Sequence, residues 1–232
     1  YGQPSKFIRN SISTYSLNST VVSQLQNNLK KDGKFIYLST SEIYSGNHKT
    51  CNENSIGFTG PFHPRSIYID SKKFGESFIV NTCSNFLIFR VSLTYGHGVK
   101  MNDERALNQV IMRSIFKKEI NVYGGLKQLR SNLFIDDTIL MIIKSISKSK
   151  NQIFNLNNHK LDFLDKTFKL IAKISNKRIN YQPAKITGSP NVIKISNLKI
   201  LKLLDYKISI GLKEGIEKTR KWYINLDKYY KF

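Results

Sequence analysis

Apolar positions along the chain follow two alternating patterns. Short runs in which nearly every residue is apolar, "KFIYLST" (34–40) and "FLIFRVSL" (86–93), have the length and β-propensity of buried strands, the second matching a strand covered on both faces in a parallel sheet. Helical stretches separate them: "STVVSQLQNNLKK" (19–31), closing at Asp32-Gly33, and a second from about Ile67 to Asn81. Beyond residue 98 the pattern predicts a helix near 105–117, a strand "INVYG" (120–124), a strand "SNLFIDD" (131–137) and a helix running to about 148. This alternation gives the α/β class. The last third, with "QIFNLNN" (152–158), a helix near 163–175 and "GLKEGIEKTRKWYINL" (211–226), reads as a smaller lobe. No internal repeat or low-complexity linker divides the chain.

Composition narrows the picture. At 232 residues and 40% apolar content the chain can bury a substantial core. Two cysteines, Cys51 and Cys83, support neither a disulfide framework nor a Cys-rich zinc site, so a reducing, cytoplasmic setting is expected. The most apolar stretch, "TILMIIKSI" (138–146), is interrupted by Lys144 and is shorter than the roughly 20 residues a membrane span needs. No secretory signal is visible, and a start at Tyr1 rather than Met suggests a fragment or a processed form. The net charge of +21 raises the question of polyanion binding. The lysines are spread out, however, and joint enrichment in Lys, Asn and Ile matches the drift of an AT-rich genome. Most of the excess is therefore expected to be solvated surface, with a minority steering an anionic substrate, and nucleic acid is an unlikely partner.

Candidate chemistry lies where strands end. "STSEIY" (39–44) follows a buried strand, and ligands of open α/β sheets bind beyond the carboxyl ends of the strands. If strand geometry persisted, Thr40 and Glu42 would project from one side and offer a hydroxyl and a carboxylate to one cleft. "YIDSK" (68–72) sets Tyr68 and Lys72 one helical turn apart on one face. An ammonium beside a phenol favours the phenolate, which lowers the tyrosine pKa and makes it a base near neutral pH. A Tyr-x-x-x-Lys alone is weak in a lysine-rich chain, and its bland reading is a surface aromatic with a snorkelling neighbour. Its position after Ser-Thr-Ser-Glu strengthens the functional reading. Two readings stand for Arg90: an ion pair with a helix carboxylate, or a place near substrate or pyrophosphate. Arg130, after Gly-Gly, suits a bidentate grip on phosphate. Ser39 and Ser41 can also serve only backbone groups at the strand end. His48, His63, His97 and His159 lack metal-ligand spacing, so no metal site is expected.

Taken together these segments resemble the extended short-chain dehydrogenase/reductase family of NAD-dependent nucleotide-sugar epimerases, dehydratases and decarboxylases. The resemblance runs from Tyr1 to about Asn158 and is carried by "YGQPSKF" (1–7), Asn18, "STSEIY", "PFHPRSIYIDSKKFGES" (61–77), "RVSLTYGHG" (90–98), "MNDERALNQVI" (101–111) and "VYGGLKQLRSNLFIDD" (122–137). It implies a Rossmann-like parallel sheet with a smaller carboxyl-terminal substrate lobe. Residues 1–98 would form a partial NAD-binding domain bearing the catalytic groups. Residues 99–232 would form mostly the substrate lobe, with some segments returning to the main sheet. The implied catalytic set is Thr40, Glu42, Tyr68 and Lys72. NAD would meet Tyr68, Lys72, Asn18 and Arg90, and a nucleotide-sugar substrate would meet Ser41, Arg105, Tyr123 and Arg130. A homodimer through the Tyr68-bearing helix is also implied.

The family's reactions pass through a transient 4-keto sugar. Thr-Ser-Glu resembles UDP-glucuronate decarboxylases, and also GDP-mannose dehydratases. The 4,6-dehydratases of deoxythymidine-diphosphate sugars carry Asp where this chain has Ser41, and serine cannot act as an acid near neutral pH. Leu93 stands where decarboxylases usually have asparagine. The family's Gly-rich dinucleotide loop is not found, since "GFTG" (57–60) lies in the wrong context. The first βαβ units would lie ahead of Tyr1. The chain is then expected to bind NAD weakly and to expose a hydrophobic edge beside "KFIYLST", inviting pairing with a second chain. The readings, in order, are a UDP-glucuronate decarboxylase-like enzyme, with 4-epimerase or 4,6-dehydratase as alternatives, then a non-catalytic nucleotide-sugar binder, then a nucleic-acid binder.

Overall fold

The structure is a computed structural model that describes residues 2–124, 127–183 and 190–230. In chain order its elements begin with α1 (Pro4–Arg9), α2 (Ser11–Asn18), α3 (Thr20–Asn27), β1 (Phe35–Thr40), a 3-10 turn (Ser41–Tyr44), α4 (Ser66–Thr82), β2 (Phe86–Val91) and β3 (Leu93–Tyr95). They continue with α5 (Ala106–Phe116), β4 (Ile120–Tyr123), β5 (Leu129–Arg130), β6 (Asn132–Phe134), α6 (Ile135–Lys148), β7 (Gln152–Leu156), β8 (Asp162–Phe163), α7 (Leu164–Ser175), β9 (Ile179–Gln182), α8 (Leu198–Leu204) and α9 (Leu212–Tyr230).

The main sheet is parallel, in the order β1-β2-β7. β2 is its centre, which explains the unbroken apolar run in its sequence. Phe86 and Ile88 pack with Val22, Phe35, Tyr37 and Ile79 toward α3 and α4, while Leu87 and Phe89 pack with Phe154, Met141, Ile200 and Leu204 toward α6 and α8. Each such side chain contributes roughly 1.5–3 kcal/mol by burial. β1 has a neighbour on one side only among the described residues. Its alternate residues Ile36 and Leu38 are 39% and 53% exposed, an apolar face rather than the hydrophobic edge expected beside this strand. Gly75 lets α4 approach closely, because a Cβ there would meet the Tyr37 hydroxyl at 2.6 Å and the Asn18 carbonyl at 2.7 Å.

A second core joins α5, β4, α7 and α9 through Leu107, Ile111, Ile120, Phe168, Ile171 and Ile216. β4 and β9 pair parallel beside it. Several sequence readings are corrected here. "QIFNLNN", read with the smaller lobe, supplies β7 of the main sheet instead. The strand expected over 131–137 stops at Phe134, since Asp136 and Asp137 occupy the first turn of α6, where the helix dipole favours carboxylates. The helix expected over 19–31 ends at Asn27 and is preceded by α1 and α2, which the pattern did not announce. The run 86–93 breaks after Val91, where Ser92 donates its N–H to the Leu156 carbonyl and the chain crosses to pair β3 with β6. No helix among the described residues is long and apolar enough to cross a membrane.

Candidate active site

The site forms at the carboxyl end of β1. Thr40 is the last residue of that strand, and its Oγ1 accepts the N–H of Glu42 at 3.2 Å, which starts the 3-10 turn. Strand geometry therefore does not persist to Glu42. The turn, opened by half-buried Ser41, delivers the carboxylate instead. Tyr68 and Lys72 lie one turn apart on α4. The Tyr68 phenol is buried at 7% exposure, with the Thr40 hydroxyl among the groups that act on its proton, and its ring stacks on Phe7 with centroids 4.2 Å apart and planes 3° from parallel.

The electrostatics differ from the sequence expectation. Burial pushes the Tyr68 phenol up to about 12, and the Glu42 charge adds to this against the Thr40 hydroxyl and the Arg65 and Arg105 cations. Lys72 does not lower it here, because its Nζ turns to the Leu38 carbonyl at 2.8 Å and lies 4.5 Å from the centre of the Tyr37 ring. Burial brings the Lys72 amine itself down to about 8, partly offset by Glu76. The two groups are thus separately tuned in this structure.

Arg65, which the sequence reading passed over, is buried at the N-cap of α4 and pairs its Nη1 with Glu42 Oε1 at 2.5 Å. Its guanidinium also sits 5.5 Å from the centre of the Phe7 ring. The available signal was its place three residues before Tyr68, on the same helical face. Arg130, on β5, bonds the Gln128 side chain at 2.5 Å and the carbonyls of Leu129 and Asn191 at 2.9 and 3.2 Å. Burial, then the Arg65 charge, pull Arg130 down to about 10 against the opposite pull of Glu42, which places all three groups in one field. Arg105, at the N-cap of α5, is fixed by Asp103, with Nε–Oδ1 at 3.0 Å and Nη2–Oδ2 at 2.9 Å.

Thr40, Glu42, Tyr68, Arg105 and Arg130 therefore share one locality, with Arg65 and Phe7 added to it. Other predicted residues stand behind it. Asn18 donates its side-chain amide to Ser71 Oγ at 3.1 Å and fixes the buried side of α4. Arg90 takes the helix-carboxylate alternative: its Nε lies 3.1 Å from both oxygens of Glu76, its Nη2 2.7 Å from Oε2, and its Nη1 2.7 Å from both the Tyr44 hydroxyl and the Glu53 carbonyl. In this geometry it braces β2 against α4 and does not face the cluster. Tyr123 is 52% exposed, and its ring lies under the Arg113 guanidinium. The 122–137 loop reading includes residues 125 and 126, which lie outside the described residues. Among the described residues no group of His, Cys, Asp and Glu could hold a metal ion.

Residues 2–156 match the NAD dependent epimerase/dehydratase family. The chain is 24% identical over 230 residues to UDP-glucuronic acid decarboxylase 1 of Danio rerio, covering 95% of this chain and 54% of that protein. It is 25% identical over 253 residues to dTDP-glucose 4,6-dehydratase of Salmonella typhimurium, covering 95% and 67%. Among solved structures, UDP-glucose 4-epimerase of Thermotoga maritima with UDP-glucose superposes with a TM-score of 0.85 at 20% identity, over 97% of this chain and 75% of that one. UDP-glucuronic acid 4-epimerase of Bacillus cereus, in complex with UDP-glucuronic acid and NAD, gives 0.77 at 24% identity over 90% and 68%. The chain spans about half the length of the decarboxylases it matches, 54% and 53% in two of them. With the family match covering residues 2–156, well over half of its length, the chain belongs to the NAD dependent epimerase/dehydratase family.

Proposed function

We propose that the protein modifies a nucleotide sugar with NAD as hydride carrier, through a transient 4-keto sugar, as a UDP-glucuronate decarboxylase-like enzyme. The observation that carries this reading is the convergence of the Thr40 hydroxyl, the Glu42 carboxylate and the Tyr68 phenol at the end of β1, with Arg65, Arg105 and Arg130 around them. The similarity to decarboxylases over nearly the whole chain supports it.

The residues present fit one end of the dinucleotide. Lys72 brings a largely desolvated amine to the exposed side of β1, beside the Leu38 carbonyl, where with Tyr68 it would hold the nicotinamide ribose. The 232 residues contain no Gly-x-x-Gly-x-x-Gly turn for the pyrophosphate. When bound, NAD supplies the hydride acceptor. Thr40, at the end of β1, orients the reacting hydroxyl, and Tyr68 takes the hydroxyl proton. A phenol held near 12 is a weak base until a cation approaches, and Lys72 is the group one turn away that can move to it. Glu42 faces the sugar with a carboxylate, and the arginines meet anionic groups of the substrate.

A homodimer through α4 belongs to the same reading, since Ile67 and Phe74, seven residues apart on that helix, are 46% and 51% exposed. Incubation of the protein with NAD and UDP-glucuronate tests the activity. Carbon dioxide release with formation of UDP-pentose supports decarboxylation, whereas UDP-galacturonate as product would assign epimerisation instead. No conversion, with no binding of the nucleotide sugar, would refute the proposal.

A further inference from the structure

Five asparagines gather around the carboxyl end of β7, and four of them brace backbone. Asn155 donates its Nδ2 to the Ser196 carbonyl at 2.9 Å, Asn157 to the Ile195 carbonyl at 2.9 Å, Asn158 to the Asn132 carbonyl at 3.3 Å, and Asn197 to the Asn157 carbonyl at 2.6 Å. The fifth, Asn132, is 4% exposed, and both its Nδ2 and its Oδ1 are shut off from solvent without a hydrogen-bond partner among the described residues. Enclosing an amide with neither end paired destabilises the free protein, so packing does not account for an asparagine here.

The sheet register places this idle amide beside the site. Thr40 and Val91 are ladder partners where the main sheet ends, and two residues on Leu93 pairs with Asn132 as the first rung of β3 and β6. Side chains alternate along a strand. Leu133 enters the core of the main sheet, whereas Phe134 meets Tyr95 edge-on in the second core, with ring centroids 5.5 Å apart. Asn132 shares the Phe134 side. It therefore stands just past the strand end that carries Thr40, at the junction of the two cores, where open α/β sheets bind their ligands.

We propose, resting on the nucleotide-sugar reading above, that Asn132 is a sugar-binding residue. Its carboxamide grips two neighbouring hydroxyls of the sugar ring, Nδ2 donating to one oxygen and Oδ1 accepting the proton of the other. A planar amide presents donor and acceptor side by side, and adjacent ring hydroxyls offer the complementary pair. Leu93, its partner in the rung and 37% exposed, is the side chain that turns aside to admit the sugar.

The test is isothermal titration of the full 232-residue chain with UDP and UDP-glucuronic acid, in wild type and Asn132→Leu, together with thermal melting of both. Asn132→Leu keeps much of the shape and removes both polar ends. The affinity for UDP-glucuronic acid relative to UDP should fall by about tenfold, the effect of two neutral hydrogen bonds, with UDP itself within about threefold of wild type. The melting midpoint should stay level or rise, because an unpaired buried amide has gone. A structural asparagine would give the opposite pair, a lower midpoint with an unchanged ratio, and would overturn the inference while leaving the nucleotide-sugar reading standing. A parallel fall in UDP affinity would put the amide on the nucleotide and equally overturn the sugar assignment. Leu93→Ala opens the way to the amide and should keep the ratio or raise it; a collapse like that of Asn132→Leu would show that the sugar rests on Leu93 and not on the amide. If Asn132→Leu does not fold, Asn132→Ala takes its place with the same expected ratio, and an unchanged ratio there would sink the proposal. Absence of wild-type binding to either ligand would remove the nucleotide-sugar reading as well.

Discussion

At Lys72, burial and placement combine to give a measurable signature. Its amine is held down to about 8 in the folded protein against an ordinary 10.5, first by burial. Between those values the unfolded chain carries a proton that the folded chain has released, so stability rises as pH rises across the interval. Below about pH 8 both states are protonated and the contribution is flat. Tyr68, raised to about 12 from its ordinary 10, begins to contribute near pH 10, but it is common to wild type and the Lys72 variant and so drops out of their difference. Urea denaturation of wild type and Lys72→Met at about pH 8 and about pH 10 should show the difference moving in favour of wild type by about 2–3 kcal/mol. A difference that does not change with pH would mean that the amine is solvated. For Tyr68→Phe, turnover should fall by about 100- to 10,000-fold while nucleotide-sugar affinity stays within a few-fold, because the phenol is required for proton transfer and little for ground-state binding. Retained turnover in that variant would take Tyr68 out of the chemistry. Thr40, Glu42, Tyr68 and Lys72 were legible in the sequence because each pair is local, two or four residues apart. Arg65 and Phe7 were not, since the value of each depends on elements distant in sequence meeting over Tyr68 and Glu42.

Elements were legible where one periodicity governed a whole run and illegible where tertiary pairing cut it. β1 and α4 fall within a residue of their predicted bounds, because a buried strand and an amphipathic helix each repeat a single rule. The apolar run from Phe86 could not reveal where the chain leaves the main sheet, since Leu93 is as good a strand residue as Val91. Arg90 shows how an element carries a polar exception. It sits in the central strand of the main sheet yet is matched by Glu76 of α4, Tyr44 and a carbonyl, which ties the strand to the helix that bears Tyr68. Arg90→Ala should leave Glu76 buried without its cation and cost about 3–5 kcal/mol in urea denaturation. A loss below about 1 kcal/mol would show the pair to be solvated. On the outer face of the same helix, Phe74→Asp places a charge in the proposed dimer contact and should convert dimer to monomer in light scattering; a wild type that is already monomeric would remove that contact from the proposal.

Across the whole molecule, one buried carboxylate joins the main sheet to the second core. Asp137 is fully buried in the first turn of α6, whose following turns cover the sheet with Met141. Its oxygens accept from the Tyr206 hydroxyl at 2.5 Å, the Ser209 hydroxyl at 3.0 Å, and the Ser209 and Ile210 N–H groups at 3.1 Å. These donors belong to the segment between α8, which packs on the sheet with Ile200 and Leu204, and α9, which enters the second core with Ile216. The sequence marks Asp137 only as the second of two acids at a helix start, and only the folded chain shows that it pins a segment about seventy residues away. The physical consequence is that the two cores should unfold together. Wild type is expected to lose near-ultraviolet and far-ultraviolet circular dichroism in one coincident urea transition. Asp137→Ala removes an acceptor from several donors at once, two of them backbone groups that then lack partners, and should cost about 3–5 kcal/mol. Tyr206→Phe removes a single donor and should cost about 1–2 kcal/mol. If Asp137→Ala separates the wild-type transition into two, the carboxylate is what couples the cores. If both variants unfold like wild type, the segment is held by Leu204 and Ile216 packing alone, and the coupling assigned to Asp137 is wrong.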